Sequence, residues 1–281
     1  MRLGILTQYY PPEMGAPQAR LSELAQAFVA AGHQVEVLTA MPNYPRGVIA
    51  EGYGGFSRRE TIDGVNVQRA CIYPTKSLRT TVRLANYFSF VGSSALVGSF
   101  RLPKLDYLMT ESPPLFLGIS GFLLARLKRS RWIFNVSDLW PESAVRMGVV
   151  GPGWSLSAAE RLESFCYRKA WLVSGQSREI LEDIHRRFPQ VPTYHLSNGV
   201  DSTFFRPDRA NPETRRMLLG ESRAGSIAVY AGLHGLAQGL DQILDAAARL
   251  RELDWLVVFI GDGPEKAKLQ ARAIELGLSE E

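Results

Sequence analysis

The chain has 281 residues, 46 % hydrophobic and 21 % charged, with a formal net charge of +4 and a pI near 9.1. This length suits two domains at roughly 100–200 residues each, and the composition excludes disordered and fibrous classes. The two cysteines, Cys71 and Cys166, lack metal-ligand spacing and suggest no disulfide framework, which fits a reducing, cytoplasmic setting.

Residues 3–45 predict one βαβ unit. An apolar run over 3–7 stops at a turn of Pro11, Pro12 and Gly15. A helix follows, with Leu21, Leu24, Ala25 and Phe28 at i, i+3, i+4 and i+7. Gly32 stands where that helix should stop. Val35, Val37 and Thr39 then alternate with polar residues as a second strand would. In such a unit the ligand crevice opens where the first strand ends, which places a functional loop at residues 8–20.

Further strands are predicted over 65–69, 107–109, 132–136, 172–174 and 194–196, with helical patterns between several of them. This alternation implies a mostly parallel α/β sheet with both faces covered, running to about residue 198. The N-terminal residues do not read as a signal peptide. The two most apolar stretches, 87–100 and 115–127, are shorter than the ~18 residues of a membrane span and read either as buried helices or as membrane-contacting ones. Lys76, Arg79, Arg83, Arg101 and Lys104 flank the first, and Arg126, Lys128, Arg129 and Arg131 close the second. Cations beside apolar helices suit an anionic membrane surface, although a solvated face would look the same. Nucleic acid is not indicated, since none of the usual reading motifs is present.

A second start follows the Asn198-Gly199 turn. Strands are predicted over 226–230 and 255–260. Gly232, Gly235 and Gly239 form a loop, and Leu240, Ile243, Leu244, Ala247 and Leu250 make a helical stripe. Gly261-Asp262-Gly263-Pro264 turns into a helix over 265–276. Two strands fall short of the four to six usual in a stable sheet. The sequence is therefore expected to stop before its second domain is complete, or to rely on a partner chain to finish it.

Both units place a glycine loop before a helix, where backbone N–H groups and the helix dipole can meet phosphate oxygens. Neither loop matches a dinucleotide or Walker fingerprint, and packing glycines would explain either one. The combination is more specific. The Tyr10-Pro11-Pro12-x-x-Gly15 loop, 31–35 leading into the second strand, 197–201 with Phe205-x-Pro207, 230–232 and 261–264 occur in order along nearly the whole chain. In this the chain resembles the glycosyltransferase family 4 enzymes of the two-domain GT-B fold. Residues 138–143 and 235–240 are similar to the subset that builds bacterial surface polysaccharides, including O-antigen and colanic acid.

The resemblance implies an α/β GT-B protein with two Rossmann-like domains facing a cleft, an acceptor-side domain over 1–198 and the start of a nucleotide-sugar domain over 199–281. It implies retaining transfer from a nucleotide-sugar, expected to be a UDP-sugar, to a polyprenyl-diphosphate-linked saccharide at the inner face of the cytoplasmic membrane. It also implies no cofactor and no metal. Asp138, at a strand's carboxyl edge, is the expected catalytic carboxylate, or else a helix N-cap, and Glu142 is a second candidate. Tyr10, Glu13, Arg20 and Glu111 are expected on the acceptor side, and Arg178 could reach a phosphate. Gly15, Gly232, His234, Gly235, Gln238, Gly239, Gly261, Asp262 and Gly263 are expected at the donor phosphates. His234 and Gln238 stand where the family typically has arginine and lysine, which weakens the usual cationic clamp or leaves His234 an ordinary loop residue. The family's later pair of glutamates cannot be placed in this chain. A GT-B sugar-nucleotide epimerase and a non-catalytic acceptor-binding piece are the alternatives.

Overall fold

The computed structural model describes residues 1–77, 79–146, 153–219 and 226–278. The expectation about the chain's end at Glu281 falls outside the described residues. The chain divides into two compact units, Met1–Gly199 and Val200–Glu281.

Unit 1 runs β1 (Arg2–Leu6), α1 (Ala16–Ala30), β2 (Gln34–Ala40), β3 (Ser57–Ile62), β4 (Val65–Ala70), α2 (Thr80–Arg101), β5 (Tyr107–Ser112), α3 (Leu117–Lys128), β6 (Arg131–Val136), α4 (Glu142–Arg146), α5 (Trp154–Lys169), β7 (Leu172–Gly175), α6 (Arg178–Arg187) and β8 (Thr193–His195). Its eight strands lie in the order β3-β4-β2-β1-β5-β6-β7-β8. All neighbours are parallel except β3 and β4. The polar edge strand β3, Ser57 to Ile62, carries no apolar alternation and was not predicted. An edge strand can live on ladder hydrogen bonds without burying a face.

The central strands are buried on both faces, as a parallel sheet requires. Leu3 and Ile5 join Leu21 and Ala25 of α1 in one core, and Leu6 joins Phe90, Leu124 and Phe134 in the other. The predicted face of α1 is the one that packs, with Leu24 and Phe28 at its margin. His33 N donates to Phe28 O at 3.0 Å while Gly32 takes φ +81°, a left-handed stop that favours glycine.

The two apolar stretches form α2 and α3, which pack together through small residues. Ser94 Oγ donates to Ser120 Oγ at 3.1 Å, and a Cβ on Gly98 would fall 2.8 Å from Leu124. Among the described residues no helix is long and apolar enough to cross a membrane.

Unit 2 contains α7 (Pro212–Leu219), β9 (Ser226–Ala231), α8 (Leu240–Arg249), β10 (Trp255–Ile260) and α9 (Lys266–Glu275). β9 and β10 pair in parallel as a two-stranded sheet among the described residues. Leu240, Leu244 and Leu269 form its small core against Tyr230 and Phe259. Of the predicted stripe, Ile243 on α8 and Leu250 just past it are exposed, because the two-stranded sheet among the described residues offers too little surface to cover them.

Glycine substitutions test this packing. A methyl group on Gly121 of α3 would strike Thr110 Oγ1 of β5, which accepts from Trp132 Nε1 at 3.0 Å. Gly121→Ala is expected to destabilise unit 1 by about 1–3 kcal/mol, measured by denaturant unfolding. Gly92→Ala, on the open side of α2 where a Cβ meets nothing, should be neutral or stabilising by up to ~1 kcal/mol. Equal effects would refute the α3–β5 packing.

Candidate functional site

The chain leaves β1 towards β2 and β4 on one side and returns with β5 on the other. The strand order therefore reverses between β1 and β5, and the crevice of such a sheet opens beyond the carboxyl ends of these strands. Residues 7–15, 137–141 and 176–177 border that edge.

A buried polar network occupies it. Glu111, at the end of β5, pairs with Arg20 of α1 at 2.6 Å. Its Oε2 accepts from Asn135 Nδ2 at 2.7 Å, and Ser137 Oγ donates to Oε1. Arg20 Nη2 also donates to Ser137 Oγ at 3.0 Å. Asn135 Oδ1 accepts from Ser174 Oγ at 2.7 Å, and the Gln176 carboxamide lies 2.8 Å from Ser137 Oγ. With its carboxamide oxygen towards Arg20, Gln176 accepts from Nε at 2.8 Å. Burial pushes the Glu111 acid above the usual carboxylate range, and Arg20, Ser137 and Asn135 pull against that shift. Arg20 and Glu111, expected separately 91 residues apart, are thus one unit. Ser137, Asn135, Ser174 and Gln176 were not anticipated, since uncharged residues at strand ends carry no pattern of their own.

The loop after β1 departs from expectation. Tyr10 is packed in the core beside Leu21 and Val37. Glu13 is also buried: Oε1 accepts from the N–H groups of Asn43 at 2.7 Å and Tyr44 at 2.8 Å, and Oε2 from that of Tyr10 at 3.4 Å. Both side chains were expected to meet an acceptor. Both instead hold the loop, because a buried carboxylate must find donors and the three amides supply them. Desolvation still raises the Glu13 acid, while the amide bonds and Arg69 lower it. Gly15 precedes α1, with Gln18 lying against it. Facing the edge, Tyr9 and Tyr44 meet edge-on at 5.6 Å.

Asp138 stands two residues beyond β6, half-buried. Its Oδ2 accepts from the Ser143 hydroxyl at 2.8 Å, so the side chain is oriented through a side-chain contact to α4. Glu142 is also half-buried and pairs with Arg146 in the same helix. Arg178 opens α6 on the surface, where Ser177 caps the helix by accepting from Ile180 N–H at 3.3 Å.

In unit 2 the two glycine loops interlock. Gly232 N donates to Ile260 O and His234 N to Asp262 O, both at 2.9 Å, and His234 O accepts from Glu265 N at 3.0 Å. A Cβ on Gly263 would lie 2.7 Å from the His234 carbonyl carbon, so glycine is required for this approach. His234 is only 4 % exposed, between Tyr230 and Phe259, and neither ring nitrogen has a hydrogen-bond partner among the described residues. Gln238 and Gly239 close a tight turn onto Gly235 and Leu236, with Gly239 at φ +57° before α8. Asp262 is exposed at the turn after β10. A concavity of about 580 Å³ adjoins Gly235 and Gly239 between α8 and α9. Its cations are already paired, Lys268 with Glu265 at 3.1 Å and Arg272 with Asp245 at 2.9 Å. No group of three or more His, Cys, Asp or Glu side chains among the described residues could hold a metal ion.

Residues 15–199 match the family described as the glycosyl transferase 4-like domain. WcaI of Escherichia coli K12, named as a glycosyl transferase of colanic acid biosynthesis, is 27 % identical over 96 % of this chain and 68 % of its own length. Among solved structures, sucrose-phosphate synthase from Thermosynechococcus elongatus superposes with a TM-score of 0.70 at 14 % identity, over 99 % of this chain and 68 % of that one. Anabaena HepE, solved with UDP and glucose, gives 0.67 at 15 % identity, over 100 % and 67 %. These likenesses bear out the two-domain GT-B α/β architecture. The chain spans about two thirds of each relative's length.

The edge network predicts an asymmetric response. Arg20→Ala leaves a buried carboxylate without its cation and should destabilise unit 1 by about 3 kcal/mol or more, measured by chemical denaturation. Glu111→Gln removes the buried carboxylate charge and keeps one accepting oxygen towards Arg20, and should cost less. Indifference to Arg20→Ala would show that the network is not formed.

Proposed function

The chain belongs to the glycosyl transferase 4-like family, and from that membership we propose that it moves a sugar from a UDP-sugar to a lipid-linked saccharide during bacterial surface-polysaccharide assembly. The observation that carries this reading is the relationship to WcaI, which extends over 96 % of the chain rather than over one motif. The HepE structures with UDP and UDP-glucose support a uridine-diphosphate donor.

Unit 1 takes the acceptor at its carboxyl edge. There the acceptor hydroxyl attacks the anomeric carbon with retention. The bond from that carbon to the donor phosphate oxygen breaks, and its electron pair leaves with UDP. Asp138 orients the hydroxyl and takes its proton, a role that its position past β6 and its anchoring by Ser143 support. Glu142 is a secondary candidate on the same turn. Arg20, held by Glu111, faces the acceptor side as a fixed cation.

Unit 2 takes the donor. The Gly235 amide and the amino end of α8 stabilise the departing diphosphate through backbone N–H groups without a metal ion, while Gly232, Gly239 and the turn Gly261-Asp262-Gly263 set the shape of the loops, the amides of Gly232, Gly239 and Gly263 donating within them. Gln238 adds a neutral donor, and His234 supports the loop from inside.

The acceptor, a polyprenyl-diphosphate-linked saccharide, places the enzyme at the inner face of the cytoplasmic membrane. Exposed Phe88, Leu96 and Phe100 run along α2, which begins beside Arg79 and Arg83. This combination of apolar and basic groups fits an anionic bilayer surface.

Two measurements test the reading. Asp138→Asn should lower acceptor-dependent UDP release by roughly 10²-fold or more while leaving the unfolding midpoint nearly unchanged. A variant retaining half the wild-type rate would remove Asp138 from the chemistry. Reversing Arg79 and Arg83 to glutamate should weaken sedimentation with phosphatidylglycerol-containing vesicles by at least about fivefold per charge, and unchanged partitioning would overturn the membrane placement.

A further inference from the structure

Unit 1 carries a second concavity remote from the carboxyl edge. It has a volume of about 600 Å³ and is lined by residues at the amino ends of β1 and β2, by β3 and by the last turn of α2. Arg2, Arg59 and Arg101 border it, with one carboxylate, Glu36. Glu36 is already engaged: its Oε1 accepts from Asn66 Nδ2 at 3.0 Å and lies 3.6 Å from Arg59. Arg2 is aimed by two uncharged acceptors, Gln34 Oε1 at 2.8 Å from Nε and Lys104 O at 3.0 Å from Nη1. Three arginines therefore border one depression whose lining holds a single carboxylate, with the Asp106 carboxylate accepting from the Arg2 main-chain N–H at 2.7 Å.

The rim is apolar on one side. Phe100 is 80 % exposed and ends the line Phe88, Gly92, Leu96, Phe100, whose four-residue steps keep all four on the open side of α2. Buried aromatic packing does not account for a phenylalanine left in this position beside Arg101.

We infer that this depression binds a phosphate group. The guanidinium fork matches phosphate oxygens in pairs, and a phosphate, with more oxygens and more negative charge than a carboxylate, can engage several of these arginines at once. Phe100 beside the cations suits a phospholipid, whose acyl region would cover the ring while its phosphate enters the depression. Inorganic phosphate offers the same chemistry without the apolar contact. The site is separate from the acceptor edge and does not depend on the reaction proposed there.

The test follows the amide signals of Gly64 and Asn66, which line the depression, by NMR on the full chain. Titrating inorganic phosphate at constant ionic strength should shift both saturably. The double variant Arg59→Glu/Arg101→Glu should weaken that response by about fivefold or more for each cation lost. Arg161→Glu, the same charge change on an exposed residue of α5, should leave it unchanged. Sedimentation with vesicles of phosphatidylcholine alone, or mixed with phosphatidylglycerol, identifies the source. Retention on the mixed vesicles only, relieved by inorganic phosphate and by the double variant, assigns the site to lipid. Saturable shifts without vesicle retention assign it to free phosphate. The absence of saturable shifts, together with vesicle retention that is absent or unchanged in the double variant, would overturn the inference, as would an equal loss in Arg161→Glu.

Discussion

Two buried charges, Arg69 and Glu13, fix the loop on which the carboxyl edge of unit 1 depends. Arg69 is 0 % exposed, and its guanidinium donates to Glu60 at 2.5 Å, to the carbonyl of Ala40 at 3.1 Å and to that of Pro11. Glu13 accepts from the amides of Tyr10, Asn43 and Tyr44. Burying either charge alone would be costly. Together they tie the segment after β1 to the ends of β2 and β4, so a loop with two consecutive prolines and a glycine keeps one conformation. Main-chain groups that no strand or helix would satisfy are used to hold these side chains. The carboxyl edge is thus bordered by a fixed wall on the β2 side.

The opposite wall is built differently. Glu111 sits where the strand order reverses, and its acid is raised by burial and held down by Arg20, Ser137 and Asn135. Arg20 enters from α1, the helix that the fixed loop introduces, so loop and network are mechanically linked. A guanidinium gripped by three side chains loses its rotameric freedom on folding rather than on ligand binding, which is the condition for preorganised recognition of an anion or a hydroxyl-rich ligand.

Much of this was legible in the sequence. Hydrophobic periodicity located α1, β1, β2 and the two βαβ units because it reports the burial that makes them fold. The edge strand β3 was invisible because its stability is in main-chain pairing. Site residues were legible as types and less so as roles. Arg20 and Glu111 stood out as charges near strand ends, but nothing in the sequence said that they meet. Tyr10 and Glu13 stood out as members of the Tyr-Pro-Pro loop, and the structure turns them inward, because a polar side chain in a glycine loop can face a ligand or serve the loop itself. Ser137, Asn135, Ser174 and Gln176 have no signature, since small polar residues acquire meaning only from the neighbours that the sheet gives them.

The same ambiguity decides how unit 2 can meet a diphosphate. The sequence puts a histidine and a glutamine where the family typically has cations, which invites reading His234 as a replacement charge. Its burial between Tyr230 and Phe259 argues otherwise. The ring fills the space between two interlocked glycine loops: the His234 backbone crowds any Cβ on Gly263, and the Gly232 carbonyl, with the His234 ring behind it at 3.2 Å, crowds one on Gly261. In this arrangement the histidine sets the spacing of the loops, and Asp262 is left exposed at the turn. On the proposed reading, phosphate would be held there through preorganised dipoles rather than through a mobile cation. The strength of that hold then rests on the rigidity of the loop, which is the property that the buried ring secures.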